Sequence, residues 1–366
     1  MSAVLIFCPA GWRDFFMPSS SSPIRPVGEQ PTFMNKTLSL ALQYLIFLGL
    51  GLFLIWWSIH NLSEEDMRRL GDALGGADYV LVLPAMVMLL LSHYSRALRW
   101  RILMQPLGFE PSRRNTFFAV MLGYFFNLLV PRMGEVMKCT MLARYEQTPV
   151  DKLIGTMVAE RALDVICLAL VIGLSLVLQM DMVTTFLSGA DVSGSDRSNG
   201  WWRLLGLLGL ALAAVWLLRV LMTRYAHLSI VARIRSIASG IWQGLTSVRR
   251  IERSRLPAFL LHTLFIWTMY LLSIRLGFYA MSSVAGLGMS AALTILSVGS
   301  LAMIITQGGI GAYQIVVQRS LALYGIPEVG GLAFGWLLWA FQTALVLVVG
   351  LICLILLPIL NKKVRS

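Results

Sequence analysis

Long apolar runs alternate with short polar connections along this chain, and the pattern predicts helices that cross a membrane. A bilayer core needs about 20 consecutive apolar residues. Five runs have that length, namely residues 38–58, 154–178, 204–222, 259–279 and 332–357, and a further span lies between the polar loops 60–78 and 96–114. The fold class predicted is therefore all-α, a polytopic transmembrane helical bundle with about six full spans.

Two further apolar stretches are each broken in the middle. The first, residues 115–145, is interrupted by Asn127, Pro131, Arg132, Gly134 and Glu135, and the second, residues 287–324, by Thr306-Gln307-Gly308-Gly309-Ile310-Gly311. A helix broken at membrane depth needs partners for its backbone groups, so it must lie inside protein or beside a watery cavity. A pair of such breaks, one in each half, indicates a transporter-like binding site near the bilayer midplane. About eight hydrophobic segments result.

The charges of the connecting loops predict the orientation. Loop 60–78 holds five acidic residues against two arginines, whereas loop 96–114 holds five arginines against one glutamate. The positive-inside rule then places the N-terminus, loop 96–114, residues 224–255 and the C-terminal tail in the cytoplasm, and residues 181–200 outside. With this orientation each broken stretch must return to the face from which it enters. We therefore expect two re-entrant helical hairpins that enter from opposite faces.

Composition agrees with a single membrane domain. The chain is 57% hydrophobic and only 13% charged, and no segment is left for a soluble catalytic domain. We expect one transmembrane domain at residues 34–360 and a basic cytoplasmic tail at 361–366. Residues 1–33 are rich in Pro and Ser and are expected to form a disordered tail. Because Met34 is followed at once by a long apolar run, we interpret residues 1–33 as a start-site artefact.

The net charge of +12 favours a membrane surface over nucleic acid as the partner. Basic residues beside spans follow from the positive-inside rule, and anionic lipid headgroups are their nearest partners. The four cysteines and four histidines are scattered along the chain, without the spacing of a metal site. We therefore expect free thiols, no metal and no cofactor.

Ionisable side chains at membrane depth are costly and are candidates for function. They form two groups: Arg132, Glu135 and Lys138 at the first break, and Glu160, Arg161 and Asp164 near the start of the following span. The formal charges are +1 and −1, so together the groups can form a neutral network in which Arg161 pairs with Asp164. One interpretation is that these charges only fasten the hairpin to the helix. The other is that Arg132 and Lys138 bind a phosphate.

The polar residues at the second break are uncharged. Gly308, Gly309 and Gly311 leave backbone groups accessible, and Gln307, Tyr313 and Gln314 are polar side chains beside them. Together with Asn127 and the six charged residues, these form the predicted substrate-binding set. The alternative is that the glycines serve only close helix packing.

Four motifs in this order resemble the lysylphosphatidylglycerol synthase transmembrane-region family, whose members are also called flippase-like membrane proteins. They are Arg96…Arg99-Trp100, Asn127…Pro131-Arg132-x-Gly134-Glu135, Glu160-Arg161-x-x-Asp164 and Gly308-Gly309-x-Gly311, and the resemblance spans residues 38–357. Members with a C-terminal aminoacyl-transferase domain make aminoacylated phosphatidylglycerol and move it across the membrane. The resemblance implies only the flippase-like half here, without lipid synthesis. Many relatives have a proline where this chain has Thr306-Gln307, and an acidic residue is common where it has Gln314. These differences leave the identity of the lipid headgroup open.

We therefore predict a multi-pass protein of the bacterial inner membrane, with both termini cytoplasmic, that is not an enzyme. It binds a phospholipid or lipid-linked headgroup between the two hairpins and helps to move it between leaflets. Membrane lipids are the predicted partners, and homo-oligomer formation stays open. Three alternatives remain: an ion-coupled transporter of a small anion, a membrane-embedded lipid-modifying enzyme with Glu160 or Asp164 as general base, and a scaffold with structural charges.

Overall fold

The computed structural model describes residues 49–60, 62–130, 133–179 and 251–361, and every regular element in these ranges is helical. The α-helices are α1 (Gly49–His60), α2 (Glu64–Gly75), α3 (Tyr79–Met104), α4 (Arg113–Leu129), α5 (Met133–Glu146), α6 (Val150–Leu178), α7 (Leu256–Phe278), α8 (Met289–Ile305), α9 (Ala312–Ala322) and α10 (Glu328–Leu360). The all-α class predicted from the apolar runs is confirmed in these ranges.

Four described helices are long and apolar enough to cross a membrane. They are α3 with its following 3-10 turn (Tyr79–Leu107), α6, α7 and α10. Each overlaps a predicted span. The predicted span 204–222, the first residues of span 38–58, the predicted tail 1–33 and residues 362–366 lie outside the described residues. The prediction of about six spans therefore reduces to four candidates in the described part of the chain.

The polar loop predicted at residues 96–114 is wrong in its first half. Helix α3 continues to Met104, and Arg96 and Arg99 lie inside it with 6% and 0% of their surfaces exposed. Their charges are compensated by carboxylates on α6 rather than by water. Trp100 and Met104 pack in the same part of the core. Burial of these apolar side chains stabilises the part of the helix that follows the arginines.

Helices α4 and α5 form an antiparallel hairpin at the first predicted break. The Oγ of Ser112 caps the start of α4 by accepting from the Asn115 backbone N–H at 3.2 Å. Helix α4 ends at Leu129, and Val130 is extended (φ −138°, ψ 128°). A residue before proline is disfavoured in the helical region, so Pro131 explains this stop. At the open end the Asn115 amide donates to Glu146 at 2.7 Å.

Helices α8 and α9 form a second hairpin at the second predicted break. Thr306 is extended, the 3-10 turn Gln307–Gly309 follows, and Gly308, Gly309 and Gly311 have φ of 59°, 75° and 75°. Glycine adopts positive φ without steric cost, which explains why this turn is glycine-rich. At the open end the Thr294 and Tyr324 hydroxyls lie 2.7 Å apart.

Helix α10 packs against both hairpins. A methyl group on Gly335 would lie 3.0 Å from the Gln314 Cα of α9, and one on Gly350 would lie 2.6 Å from the Phe125 Cβ of α4. Small residues therefore let α10 approach both neighbours closely. Just after α10, Asn361 exchanges two amide hydrogen bonds of 3.0 Å with Asn115 at the base of the first hairpin.

The turns of the two hairpins meet beside α10. A methyl group on Gly308 would lie 3.1 Å from a methyl carbon of Leu128, the residue before the end of α4. The Trp339 indole N–H of α10 donates to the Gly308 carbonyl at 2.8 Å. Helix α1 covers the second turn, where the Gly51 carbonyl faces Gly311. The fold thus brings the two breaks in the sequence to one place.

Candidate functional site

Seven charged side chains from α3, α5 and α6 lie together beside the first turn. We call this set the charged cluster: Arg96, Arg99, Glu135, Lys138, Glu160, Arg161 and Asp164. Four are basic and three are acidic, so its formal charge is 4 − 3 = +1. The cluster contains five of the predicted binding residues, namely Glu135, Lys138, Glu160, Arg161 and Asp164. Arg132 lies outside the described residues.

The two carboxylates of α6 hold the inner part of the cluster together. Glu160 and Asp164 stand one helical turn apart and therefore share a face. Asp164 pairs with Arg99 at 2.6 Å and also accepts from Arg96. Glu160 pairs with Lys138 at 2.5 Å and lies 3.5 Å from Arg96. Ion pairs thus fasten α3 and α5 to α6. This agrees with the interpretation that the charges hold the first hairpin to the following helix.

The outer part of the cluster lies at the turn of the first hairpin. Arg161 faces Glu135 at 3.5 Å, and their side chains are 41% and 25% exposed, against 0% for Arg99. The Asn127 amide donates to Glu135 at 3.4 Å, and its oxygen accepts from the Gly134 backbone N–H at 2.8 Å. Access to the cluster therefore lies on the side of Arg161 and Glu135.

The cluster retains unused hydrogen-bond donors. Four buried guanidinium nitrogens of the cluster have no hydrogen-bond partner among the described residues: Arg96 Nε, Arg99 Nε, Arg99 Nη1 and Arg161 Nε. Both ring nitrogens of His93, one turn before Arg96 on α3, also lack a partner there. Buried polar groups are normally satisfied, so each of these calls for an explanation. Unused N–H groups around a positive centre can accept an anion.

Aromatic side chains form one wall of the cluster. The Lys138 ammonium lies 3.9 Å from the centre of the Trp100 ring, a cation–π distance. The Trp100 indole N–H donates to the Thr156 hydroxyl at 2.9 Å, which fixes that ring. Near Arg96 the Tyr270 hydroxyl accepts a 3.5 Å contact from its guanidinium. These rings exclude water on one side and so strengthen the electrostatic interactions inside.

Sequence reasoning missed Arg96 and Arg99 as members of the site and assigned Arg161 the wrong partner. Asp164 pairs with the two α3 arginines, whereas Arg161 pairs with Glu135. The positive-inside rule counts arginines without distinguishing a loop from the buried end of a span. The i, i+3 spacing of Arg96 and Arg99, followed by Trp100, was the available signal, because it places both charges on one helical face.

The second turn brings together the neutral part of the predicted set. Gly308, Gly309 and Gly311 form the turn itself, and Gln307 begins its 3-10 segment. Tyr313 and Gln314 lie in the first turn of α9, and both are buried. Neither the amide nitrogen nor the amide oxygen of Gln314 has a hydrogen-bond partner among the described residues. This turn meets the first hairpin at Leu128, next to Asn127.

No metal site is formed in the described ranges, where no three His, Cys, Asp or Glu side chains lie close enough to hold an ion. The described cysteines Cys139, Cys167 and Cys353 are free thiols.

The sequence is similar to one family profile and to several known proteins. The profile described as "Lysylphosphatidylglycerol synthase TM region" matches residues 40–364. The glycosyltransferase AglD of Haloferax volcanii is 24% identical over 314 residues, which cover 78% of this chain and 50% of that protein. A UPF0104 membrane protein of Methanocaldococcus jannaschii is 30% identical over 90 residues, 24% of this chain and 26% of that protein. Another, from Methanothermobacter thermautotrophicus, is 31% identical over 117 residues, 30% of this chain and 35% of that protein.

The chain spans half or less of the length of these curated relatives. No solved structure matches it significantly. The family resemblance read from the motifs is confirmed by the profile match. The prediction that the chain is not an enzyme is contradicted, because a relative matched over most of this chain is named a glycosyltransferase.

Proposed function

The chain belongs to the lysylphosphatidylglycerol synthase transmembrane-region family, and from this premise we propose that it binds a phosphate-bearing lipid between its two hairpins and helps to move it between leaflets. The lipid phosphate binds at the charged cluster. The two hairpins are re-entrant and enter from opposite faces, so that their turns meet near the bilayer midplane.

The positive charge and the unused donors of the cluster support a phosphate ligand. Three of the cluster's four unpartnered guanidinium nitrogens belong to Arg96 and Arg99, which are already held in place by Asp164. A planar guanidinium with free N–H groups is the preferred partner of a phosphate. Because the arginines are positioned before the ligand arrives, little side-chain entropy is lost on binding.

Apolar surface beside both turns supports a lipid rather than a free anion. Leu129 and Val130 at the end of α4 are 45% and 38% exposed, and Ile304 and Ile305 at the end of α8 are 71% and 52% exposed. Acyl chains can lie against these side chains while the headgroup reaches the charged cluster. The observation that carries the proposal is this combination of a buried cationic excess and an adjacent apolar surface.

A conservative substitution separates ligand binding from folding. Arg99→Lys keeps the positive charge opposite Asp164 and removes the unused Nε and Nη1 groups. We expect at least a tenfold loss of headgroup-dependent exchange of fluorescent phospholipid between the leaflets of proteoliposomes, since two charge-assisted hydrogen bonds disappear. Arg101→Lys is the matched control, because Arg101 lies on the same helix but donates to the Pro111 carbonyl, outside the cluster.

Equal exchange by the Arg99→Lys and Arg101→Lys proteins would overturn the cluster as the headgroup site. The proteoliposomes also separate a lipid from a soluble substrate. Uptake of inorganic phosphate or glycerol phosphate into the vesicle lumen, without any lipid exchange, would replace the lipid proposal by the ion-coupled transport of a small anion.

We propose the membrane of a bacterial cell as the location, with the N- and C-termini in the cytoplasm and membrane lipids as the partners. The basic segments 224–255 and 362–366 support this orientation through the positive-inside rule. Single-cysteine variants in loop 60–78 should react with a membrane-impermeant maleimide added outside, and variants in the tail should not. The reverse labelling pattern would invert the orientation.

A second candidate function rests on the relative named a glycosyltransferase. In this case a polyprenyl-phosphate sugar binds at the same cluster, its glycosyl group passes from the phosphate to a hydroxyl group of an acceptor lipid, and polyprenyl phosphate leaves with the hydroxyl proton. Incubation of the protein with a polyprenyl-phosphate sugar and membrane lipids would test it, since a change of lipid mass by one sugar unit indicates transfer. Exchange between leaflets without any change of mass supports translocation alone.

A further inference from the structure

The second hairpin differs from the first in having almost no charge. From Met289 to Ala322 the only charged residue is Arg319, which lies on an exposed surface and pairs with Glu328 at 2.8 Å. No carboxylate occurs in α8, in the turn or in α9. A cationic group that reached this turn would therefore lose its water without gaining a counter-ion from the hairpin.

Gln314 is nevertheless a polar group set deep in this hairpin. Its residue surface is 1% exposed, and its amide has two donors and an acceptor that bind nothing among the described residues. The Thr306 hydroxyl, on the other side of the turn, is also buried without a partner there. An amide and a hydroxyl that both lack partners match a ligand that offers hydroxyl groups, since hydroxyls donate and accept.

The backbone of the turn adds to this capacity. Gln314 lies in the first turn of α9, where the leading N–H groups have no partner within the helix. The positive-φ glycines before it carry no side chains that would cover these groups. On the other side, the contact between Gly308 and Leu128 places the turn beside Asn127, which bonds to Glu135 of the charged cluster.

We propose that the second turn recognises an uncharged, hydroxyl-bearing group, a glycerol or a sugar, attached to the phosphate that the charged cluster binds. Gln314 is the specificity-determining residue and hydrogen-bonds the hydroxyls. Since α8, the turn and α9 contain no carboxylate, a cationic headgroup at Gln314 gains no counter-ion from this hairpin, and this selects against it. This inference rests on the proposed function and names its substrate class.

Binding of fluorescent lipids to the full chain in phosphatidylcholine nanodiscs tests the proposal. Phosphatidylglycerol carries a phosphate with a neutral polyol, phosphatidic acid the phosphate alone, and lysyl-phosphatidylglycerol a cationic headgroup. We expect the wild type to bind phosphatidylglycerol about tenfold more tightly than phosphatidic acid. Gln314→Met should remove this preference without weakening phosphatidic acid, and Gln314→Glu should strengthen lysyl-phosphatidylglycerol about tenfold.

Gln318→Met is the matched control, one turn later on the same buried helix face, where the amide already contacts Glu328 at 3.4 Å. It should retain the preference for phosphatidylglycerol. The Gln314→Met protein should fold, because methionine has the shape of glutamine and leaves no polar group unpaired. Thermal unfolding in detergent checks this.

The outcomes separate the two proposals. If the wild type binds neither phosphatidylglycerol nor phosphatidic acid, the proposed function fails and this inference with it. If it binds both equally, or if Gln314→Met leaves the preference unchanged, only the Gln314 assignment is overturned. Water-soluble glycerophosphoglycerol, the headgroup without its acyl chains, tests whether the ligand is a lipid. If it displaces fluorescent phosphatidylglycerol at concentrations similar to those of the lipid, the ligand is a soluble molecule and the lipid assignment is overturned. Weak competition supports a lipid.

Discussion

The two hairpins have the same shape and opposite chemistry. Each consists of two antiparallel α-helices with a break between them, and the two hairpins meet where Leu128 contacts Gly308. The first lies against seven charged side chains, whereas the second contains none in its turn and a single exposed arginine at its far end. The end of α4 at Leu129 and the positive-φ glycines determine the shape, whereas the charges lie on α5 of the first hairpin and on the adjacent helices α3 and α6. The binding site that we propose between them would therefore offer cationic groups on one side and neutral groups on the other.

The largest difference between the hairpins should appear in stability. Glu160→Gln removes the carboxylate that holds Lys138 and leaves cations buried without their counter-ion. We expect a loss of about 3–5 kcal/mol in the free energy of unfolding, measured by equilibrium unfolding in mixed detergent micelles. Gln314→Met in the second hairpin should cause no loss.

Glu328→Gln is the control for the removal of a carboxylate as such. Glu328 pairs with Arg319 on an exposed surface, where an ion pair contributes about 0–1 kcal/mol. If Glu160→Gln and Glu328→Gln unfold at the same denaturant concentration, the charged cluster does not hold the first hairpin to α6.

The next effect concerns the close approach of the first hairpin's helices. A methyl group on Gly134 would lie 1.8 Å from the Gly123 carbonyl oxygen, a backbone atom that cannot rotate away. Gly134→Ala should therefore separate α4 from α5 and destabilise the protein by about 1–3 kcal/mol. Gly155→Ala on α6, which has no atom within 4 Å, should be neutral or slightly stabilising. Equal thermal midpoints for the two variants would contradict this packing.

The smallest effect concerns the second turn, which depends on backbone conformation. Gly308 has φ 59° and ψ 22°, a left-handed conformation that costs a residue with a Cβ about 1–2 kcal/mol. Gly308→Ala should lower the thermal midpoint, and Gly308→Asn should lower it less, because asparagine tolerates this region. Gly325→Ala has the same kind of φ but open space around it. The amount by which Gly308→Ala lowers the thermal midpoint more than Gly325→Ala does therefore measures the contact with Leu128.

Much of the fold was predictable because local signals decide it. Apolar run length predicted α6, α7 and α10, and Pro131 and the glycines predicted where the two hairpins turn. The ion pairs were less predictable. Arg161 and Asp164 are three residues apart, which favours a local pair, but the approach of α3 gives Asp164 two better-placed arginines. Partner choice among buried charges depends on how whole helices are rotated, and no short stretch of sequence contains that information.

Helix α10, 33 residues long, connects events at the meeting point of the turns to the chain's C-terminal end. It touches α9 through Gly335 and α4 through Gly350, and its last residues lead to the amide pair between Asn361 and Asn115. If the proposed ligand separates the two turns, α10 should tilt as a rigid helix, and the displacement should be largest at its ends. We then expect a spectroscopic label beside Asn361 to report occupancy of a site that the label does not contact.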